Sequence, residues 1–171
     1  DRRPAQPELI LAVAAGDRER FTWMAEKAVE LGVTSIVPLE TARSVAVSSR
    51  LRDSHTAKLR RVVLEATKQS GTAWAPEVRT PMAFSEFVAS PLEGTGWLAD
   101  PAGEIPPATL DDAPLVVLIG PEGGFTAEER AATLSSGYRP MVLGSHTLRF
   151  ETAALVAAAA AVTARMRRNH G

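Results

Sequence analysis

The run Leu115-Val116-Val117-Leu118-Ile119, followed at once by Gly120-Pro121-Glu122-Gly123-Gly124, constrains this chain more than any other feature. Five consecutive apolar residues without alternation mark a strand covered on both faces, as parallel strands inside α/β sheets are. The glycine-rich turn lets the backbone leave the sheet steeply and bring bare amides close to a ligand. Thr126 and Glu129 supply both halves of a capping box, so a helix begins right after the turn and runs to Gly137. Strand, tight turn and helix in that order are one arm of a βαβ unit.

The rest of the chain repeats the alternation. Glu8 to Ala14 reads as a buried strand, and Asp17 caps a helix through Leu31, with Phe21, Met24, Ala25, Ala28 and Leu31 at helical spacing and Gly32 just past its end. Thr34 to Leu39 is a strand that Pro38 confines to an edge or a strand end. Ser54 to Ser70 is a second helix, ended by Gly71 and apolar along Leu59, Val62, Val63 and Ala66. Trp74 to Val78 predicts a short strand, Phe84 to Val88 a short helix, and Gly96 to Ala99 and Pro140 to Leu143 further strands. The alanine-rich stretch from Glu151 to Arg168 is the last helix, with Arg165, Arg167 and Arg168 in its final turn, where the helix dipole favours cations. Together these predict one α/β domain with a mostly parallel sheet flanked by helices, the single core that 171 residues can hold.

Composition removes several chemistries. Without cysteine there is no disulfide, no thiolate zinc site and no cysteine nucleophile. His55, His146 and His170 stand apart with no metal-ligand spacing, so no bound metal is expected. The longest uncharged apolar stretch, Ala153 to Ala164, is too short to span a bilayer and is not at the amino terminus, which reads as a cytoplasmic protein without a membrane partner. The net charge of −1 hides an asymmetry. Between Ala42 and Gln69 stand Arg43, Arg50, Arg52, Lys58, Arg60, Arg61 and Lys68 against only Asp53 and Glu65, whereas Glu86 to Arg130 is strongly acidic. Such a basic stripe suits an anionic partner or simply a solvated face.

In open α/β sheets ligands bind beyond the carboxyl ends of strands, which singles out the loops after Ile119 and Leu143. The first lacks the lysine of a phosphate-binding P-loop and is not GxGxxG. The second, from Leu143 to Ala153, carries Arg149 and Glu151 close to a helix start. Two such loops make a cleft able to read a polar, partly aromatic ligand through backbone groups; spacing alone does not name it.

LIGPEGGFTAEE (Leu118 to Glu129) and LGSHTLRFETAA (Leu143 to Ala154) closely resemble the paired motifs of SPOUT-class RNA methyltransferases, specifically the RsmE family. DRERFTWMAEKAVELGVTSIVPL (Asp17 to Leu39) and EATKQSG (Glu65 to Gly71) extend the likeness, in order, over nearly the whole chain. The resemblance implies a deep trefoil knot in the C-terminal part of the sheet, S-adenosylmethionine as methyl donor, a homodimer packed through the knot, and methylation of N3 of a uridine in small-subunit (16S) ribosomal RNA. Carried over position by position, the cofactor contacts fall on the backbone at Leu98, Ala99 and Asp100, on Ile119, Gly120 and Gly123, and on Leu143, Gly144, His146, Leu148 and Thr152. Arg149 is the candidate for stabilising the uridinate or steering the base. Glu122 is either the group nearest the reacting atoms or an acceptor for loop amides. Arg43, Arg50, Arg60 and Arg61 are the RNA-contact candidates of the basic stripe. Direct transfer to a ring nitrogen needs no covalent adduct, in keeping with the missing cysteine.

Three departures stand out: His146 where the family commonly has arginine, Thr72 where it is often basic, and the lack of the family's N-terminal PUA-like RNA-binding domain, so the chain is expected to be the catalytic domain alone. The alanines of the last helix, Ala154 and Ala158 among them, are expected to permit close packing in knot and dimer. Rival readings are a SPOUT enzyme acting on another RNA or on a ribose 2′-hydroxyl, and a non-catalytic RNA-binding or ribosome-assembly module.

Overall fold

The computed structural model describes residues 7–14, 16–44 and 52–171. Their elements run β1 (Leu9–Ala14), α1 (Arg18–Glu30), β2 (Ser35–Glu40), α2 (Arg52–Ser70), β3 (Glu77–Val78), β4 (Met82–Ala83), α3 (Phe84–Ala89), β5 (Thr95–Glu104), β6 (Leu115–Ile119), α4 (Ala127–Ser135), β7 (Arg139–Met141) and α5 (Phe150–His170). The strands form one sheet in the order β3-β2-β1-β6-β5-β7, with β4 also on β2. Every pairing is parallel. This is the expected α/β architecture.

Strand β6 pairs with β1 from Leu9↔Leu115 to Val13↔Ile119 and with β5 from Thr95↔Leu115 to Leu98↔Leu118. All five of its residues are buried. On one face Leu9, Leu11, Val13, Val117 and Trp97 pack against α1, α2 and α5; on the other Ile10, Ala12, Val116 and Leu118 meet Phe84, Val88 and Tyr138. Strand alternation thus feeds two cores from one sheet. The order reverses direction of growth between β1 and β6, and the carboxyl edge of a sheet with such a switch point is where ligands bind in open α/β folds.

Pro38 lies within β2 and not at the sheet edge. Two residues earlier the Ile36 carbonyl accepts from Arg79 N–H on the outer side, so the ring nitrogen of Pro38 faces that side too. There the neighbour is broken between β3 and β4, and no donor is required. Trp74 remains outside the short β3 and is 37% exposed. The other expected elements stand within a few residues of their anticipated bounds, and Asp17 and Thr126 cap α1 and α4 as expected.

Ala154, Ala157, Ala158 and Ala161 are fully buried within the subunit. Helix α5 lies on α1, β1 and β6, so Ala154 and Ala158 serve close packing inside the monomer and not a dimer face. Its far end is fixed by Arg165, 7% exposed, which donates to the carbonyls of Pro7 (3.4 Å), Glu8 (3.0 Å), Asp111 (3.2 Å) and Ala113 (2.7 Å). Leu110 N–H donates to Ala164 O beside it. The segments entering β1 and β6 are thereby tied to the same helix turn. Among the described residues no helix is long and apolar enough to cross a membrane.

Two expectations follow. Arg165→Leu strands several buried carbonyls and should lower unfolding free energy by about 2–4 kcal/mol in urea titration; an unchanged midpoint would remove the clamp from the picture. The second concerns His55, whose ring meets Phe21 edge-on at 6.1 Å. Burial, then the nearby charges of Arg18 and Lys58, lower its pKa from 6.5. The unfolded chain therefore binds this proton more readily, and stability should fall as pH drops below about 6.5 until the folded-state pKa is passed. The urea midpoint should rise between pH 5 and 7 by a component that His55→Gln removes, read as the difference between the two proteins' pH profiles.

Candidate active site

The middle of β5, where its pairing with β6 ends, the carboxyl end of β6 and the loop after β7 enclose a cleft of about 310 Å³. The β5 wall is Leu98, Ala99, Asp100 and Pro101, and the β6 wall Ile119, Gly120, Pro121 and Glu122. The third side is the loop after β7, with Val142, Leu143, Gly144, His146, Thr147 and Leu148. Of the expected cofactor contacts, Leu98, Ala99, Asp100, Ile119, Gly120, Leu143, Gly144, His146 and Leu148 all border this one space. Gly123 and Thr152 do not.

The glycine turn is held by short-range and long-range bonds. Gly124, at φ +73°, donates to Pro121 O at 2.7 Å. Glu129 completes the capping box, its Oε2 accepting Thr126 N–H at 2.9 Å, while its Oε1 accepts Ala42 N–H at 2.8 Å. One carboxylate thus joins the α4 start to the turn after β2. Arg43, in that turn, donates from Nη1 to Gly123 O, and a Cβ on Gly123 would stand 3.2 Å from Arg43 Cδ. On the far side of the cleft a Cβ on Gly144 would stand 3.3 Å from the Leu148 side chain.

Glu122 is exposed and lines the cleft; its carboxylate oxygens lie 2.6 and 2.8 Å from where a Cβ on Gly16 would be. Gly16, just past β1, is therefore a third strand end that gives the carboxylate room. Arg149 is the exposed N-cap residue of α5 and makes no side-chain cap bond; it stands between cleft-lining Leu148 and Phe150 without lining the space itself. Glu151, singled out in the sequence beside Arg149, is buried, 3.7 Å from Arg20 Nε, with its Oε2 unpartnered.

The basic candidates are dispersed. Arg43 is committed to the glycine turn, and Arg60 donates from Nε and Nη2 to Val78 O at 3.2 and 3.1 Å. Arg61 is exposed on α2, and Arg50 lies outside the described residues. Among the described residues no group of three or more histidine, aspartate or glutamate side chains is placed to hold a metal ion.

Sequence reasoning missed Arg130, which lines the cleft and donates from Nε to Asp100 Oδ2 at 2.7 Å. Its position directly after the capping Glu129 could have flagged it, but its partner is thirty residues away in sequence. Asp100 Oδ1 also accepts Ala102 N–H at 2.9 Å. Burial opposes ionisation of this carboxyl, yet the Ala102 amide and Arg130 together outweigh it and hold the pKa below the usual value.

Known proteins share both sequence and architecture with this chain. A ribosomal RNA small subunit methyltransferase E from Synechocystis is 32% identical over 160 residues, which cover 88% of this chain and 52% of the relative, so the chain spans about half that protein's length. A solved ribosomal RNA small subunit methyltransferase E from Neisseria gonorrhoeae, bound to S-adenosyl methionine, superposes with TM-score 0.73 at 32% identity over 90% of this chain and 65% of that one. A SpoU methyltransferase from Streptomyces viridochromogenes, at 13% identity, has the same fold with TM-score 0.62 over 95% of this chain and 62% of that one. The model of the RNA methyltransferase domain matches residues 3–162. Since that match takes in both loops of the cleft and every strand that positions them, the chain belongs to the RNA methyltransferase domain family.

Proposed function

We propose that this domain binds S-adenosylmethionine in the cleft between β5, β6 and the loop after β7 and transfers its methyl group to N3 of a uridine in small-subunit ribosomal RNA. The observation that carries the reading is the convergence of nine expected cofactor contacts on one cleft, in a fold shared with a relative solved with S-adenosyl methionine bound. The residues fit such a ligand. The cleft volume of about 310 Å³ falls in the range of small-molecule sites. Leu98, Ile119 and Leu148 offer apolar walls for a purine, and the irregular loop 142–148 offers backbone groups to its polar edge.

When bound, S-adenosylmethionine supplies a methyl carbon made electrophilic by positively charged sulfur. The chain must then manage a proton and an anion. The imide nitrogen of uridine is a nucleophile only once its proton is gone; Glu122 is the cleft carboxylate able to accept that proton, and Arg149 at the rim stabilises the negative charge left on the base. Arg61, exposed on α2, offers a phosphate contact. A trefoil path for the C-terminal segment belongs to the same proposal, supported by the connection between β5 and β6, whose residues Leu110, Asp111 and Ala113 bond the end of α5. Pairing of two subunits through that region, and action in the cytoplasm where ribosomal RNA is made, complete it.

Calorimetric titration should show saturable binding of both S-adenosylmethionine and its demethylated product; absence of binding would favour a non-catalytic RNA-binding module. With small ribosomal subunits as substrate and mass analysis of nucleosides as readout, Arg149→Ala should lower turnover by about 100-fold, as loss of a donor to a developing anion does, while donor affinity stays within about twofold. Normal turnover of that variant would remove Arg149 from the chemistry, and methyl groups found on ribose would redirect the reading to a 2′-hydroxyl.

A further inference from the structure

Asp100 lies within β5 at the point where the pairing with β7 shifts register, between Ala99 and Glu104. Asp100 lines the cleft, and the chain folds back on its carboxylate at Ala102. Its carboxylate is then gripped from two directions: Oδ1 by Ala102 N–H at 2.9 Å and Oδ2 by Arg130 Nε at 2.7 Å. The Asp100 side chain is only 13% exposed, against 44% for Arg130, so the pair sits with the carboxylate inward and the guanidinium toward solvent.

A carboxylate oxygen accepts two hydrogen bonds. Each oxygen of Asp100 has one protein donor, which leaves one acceptor position on each of two adjacent oxygens, on a group held by both bonds. Two adjacent acceptors match two adjacent hydroxyl donors, a vicinal diol. Acidic side chains beyond strand ends of other α/β sheets bond ribose hydroxyls by the same chemistry.

We infer that the Asp100 side chain reads the ribose 2′- and 3′-hydroxyls of the adenosyl ligand, and that Arg130 is the positioning residue that fixes its carboxylate for the task. The inference rests on the reading that this cleft takes S-adenosylmethionine. It assigns to a side chain a selectivity that backbone contacts to the purine do not supply, and it gives Arg130 a function beyond a surface ion pair.

The test compares calorimetric affinities of S-adenosylhomocysteine, 5′-methylthioadenosine and the 2′-deoxy and 3′-deoxy forms of the latter. In the unaltered protein, deletion of either hydroxyl should weaken binding about tenfold, the lower end for a hydrogen bond to a charged acceptor. Asp100→Asn keeps an oxygen for Ala102 N–H, so the bulge is retained. It should bind intact 5′-methylthioadenosine about tenfold more weakly and lose no more than about twofold on further deletion of a hydroxyl. Arg130→Gln should narrow the ratio of intact to deoxy affinities with an unchanged unfolding midpoint, and Arg130→Lys should restore part of it. Equal affinity of the unaltered protein for intact and deoxy ligands would overturn the inference, as would an Asp100→Asn variant that still discriminates tenfold. Loss of affinity for S-adenosylhomocysteine but not for 5′-methylthioadenosine would also overturn it, since the carboxylate would then serve the amino-acid end. If the unaltered protein binds none of these ligands, the assignment of the cleft itself falls and the inference falls with it.

Discussion

The seating of β6 between β1 and β5 is the constraint on which the other features depend. Its five residues are buried on both faces and its backbone is bonded to a parallel neighbour on either side. Parallel strands end together at one edge of the sheet, and their returns must cross a face as helices. That edge is where the glycine turn after Ile119, the bulge after Ala99 and the segment after β1 all emerge. The cleft is a geometric consequence of β6 ending beside the middle of β5, with the loop after β7 closing the third side.

Helix α5 makes the arrangement compact. Bulky residues at 154, 157, 158 and 161 would hold it away from β1 and α1; alanine brings the backbones together with little side-chain entropy to lose. The small side chains bury little apolar area individually, so directional bonds supplement them. Arg165 collects four carbonyls that would otherwise be left without donors at the amino end of the sheet. The same helix therefore closes the cleft at one end, through Phe150 and Ala153, and locks the entry to β1 and β6 at the other.

Around the cleft, charged groups serve the backbone before they serve a ligand. Glu129 caps α4 and also takes an amide from the turn after β2; Arg43 supports the Gly123 carbonyl; Arg130 secures Asp100. Each ties together segments far apart in sequence, and each holds a loop in the conformation a ligand would meet. Such preorganisation leaves less ordering entropy to be lost on binding. Two residues of the basic stripe, Arg43 and Arg60, likewise donate to main-chain carbonyls, those of Gly123 and Val78, while both remain exposed.

The alternation of strands and helices, the buried character of β6, the caps at Asp17 and Thr126, and the two loops that border the cleft are all legible in the residues alone. Those follow from local rules: apolar periodicity, capping side chains and glycine at turns act over a few residues and are legible there. The motif resemblance, a longer-range pattern, located most of the cleft lining. That Pro38 faces a break in the neighbouring strand, that Ala154 and Ala158 pack within the subunit, that Arg43 and Arg60 bond main-chain carbonyls, and that Arg130 meets Asp100 are visible once the chain is folded. Each of these depends on which distant segment lies opposite. That is set by packing of whole elements across the sheet, and no spacing along the chain encodes it.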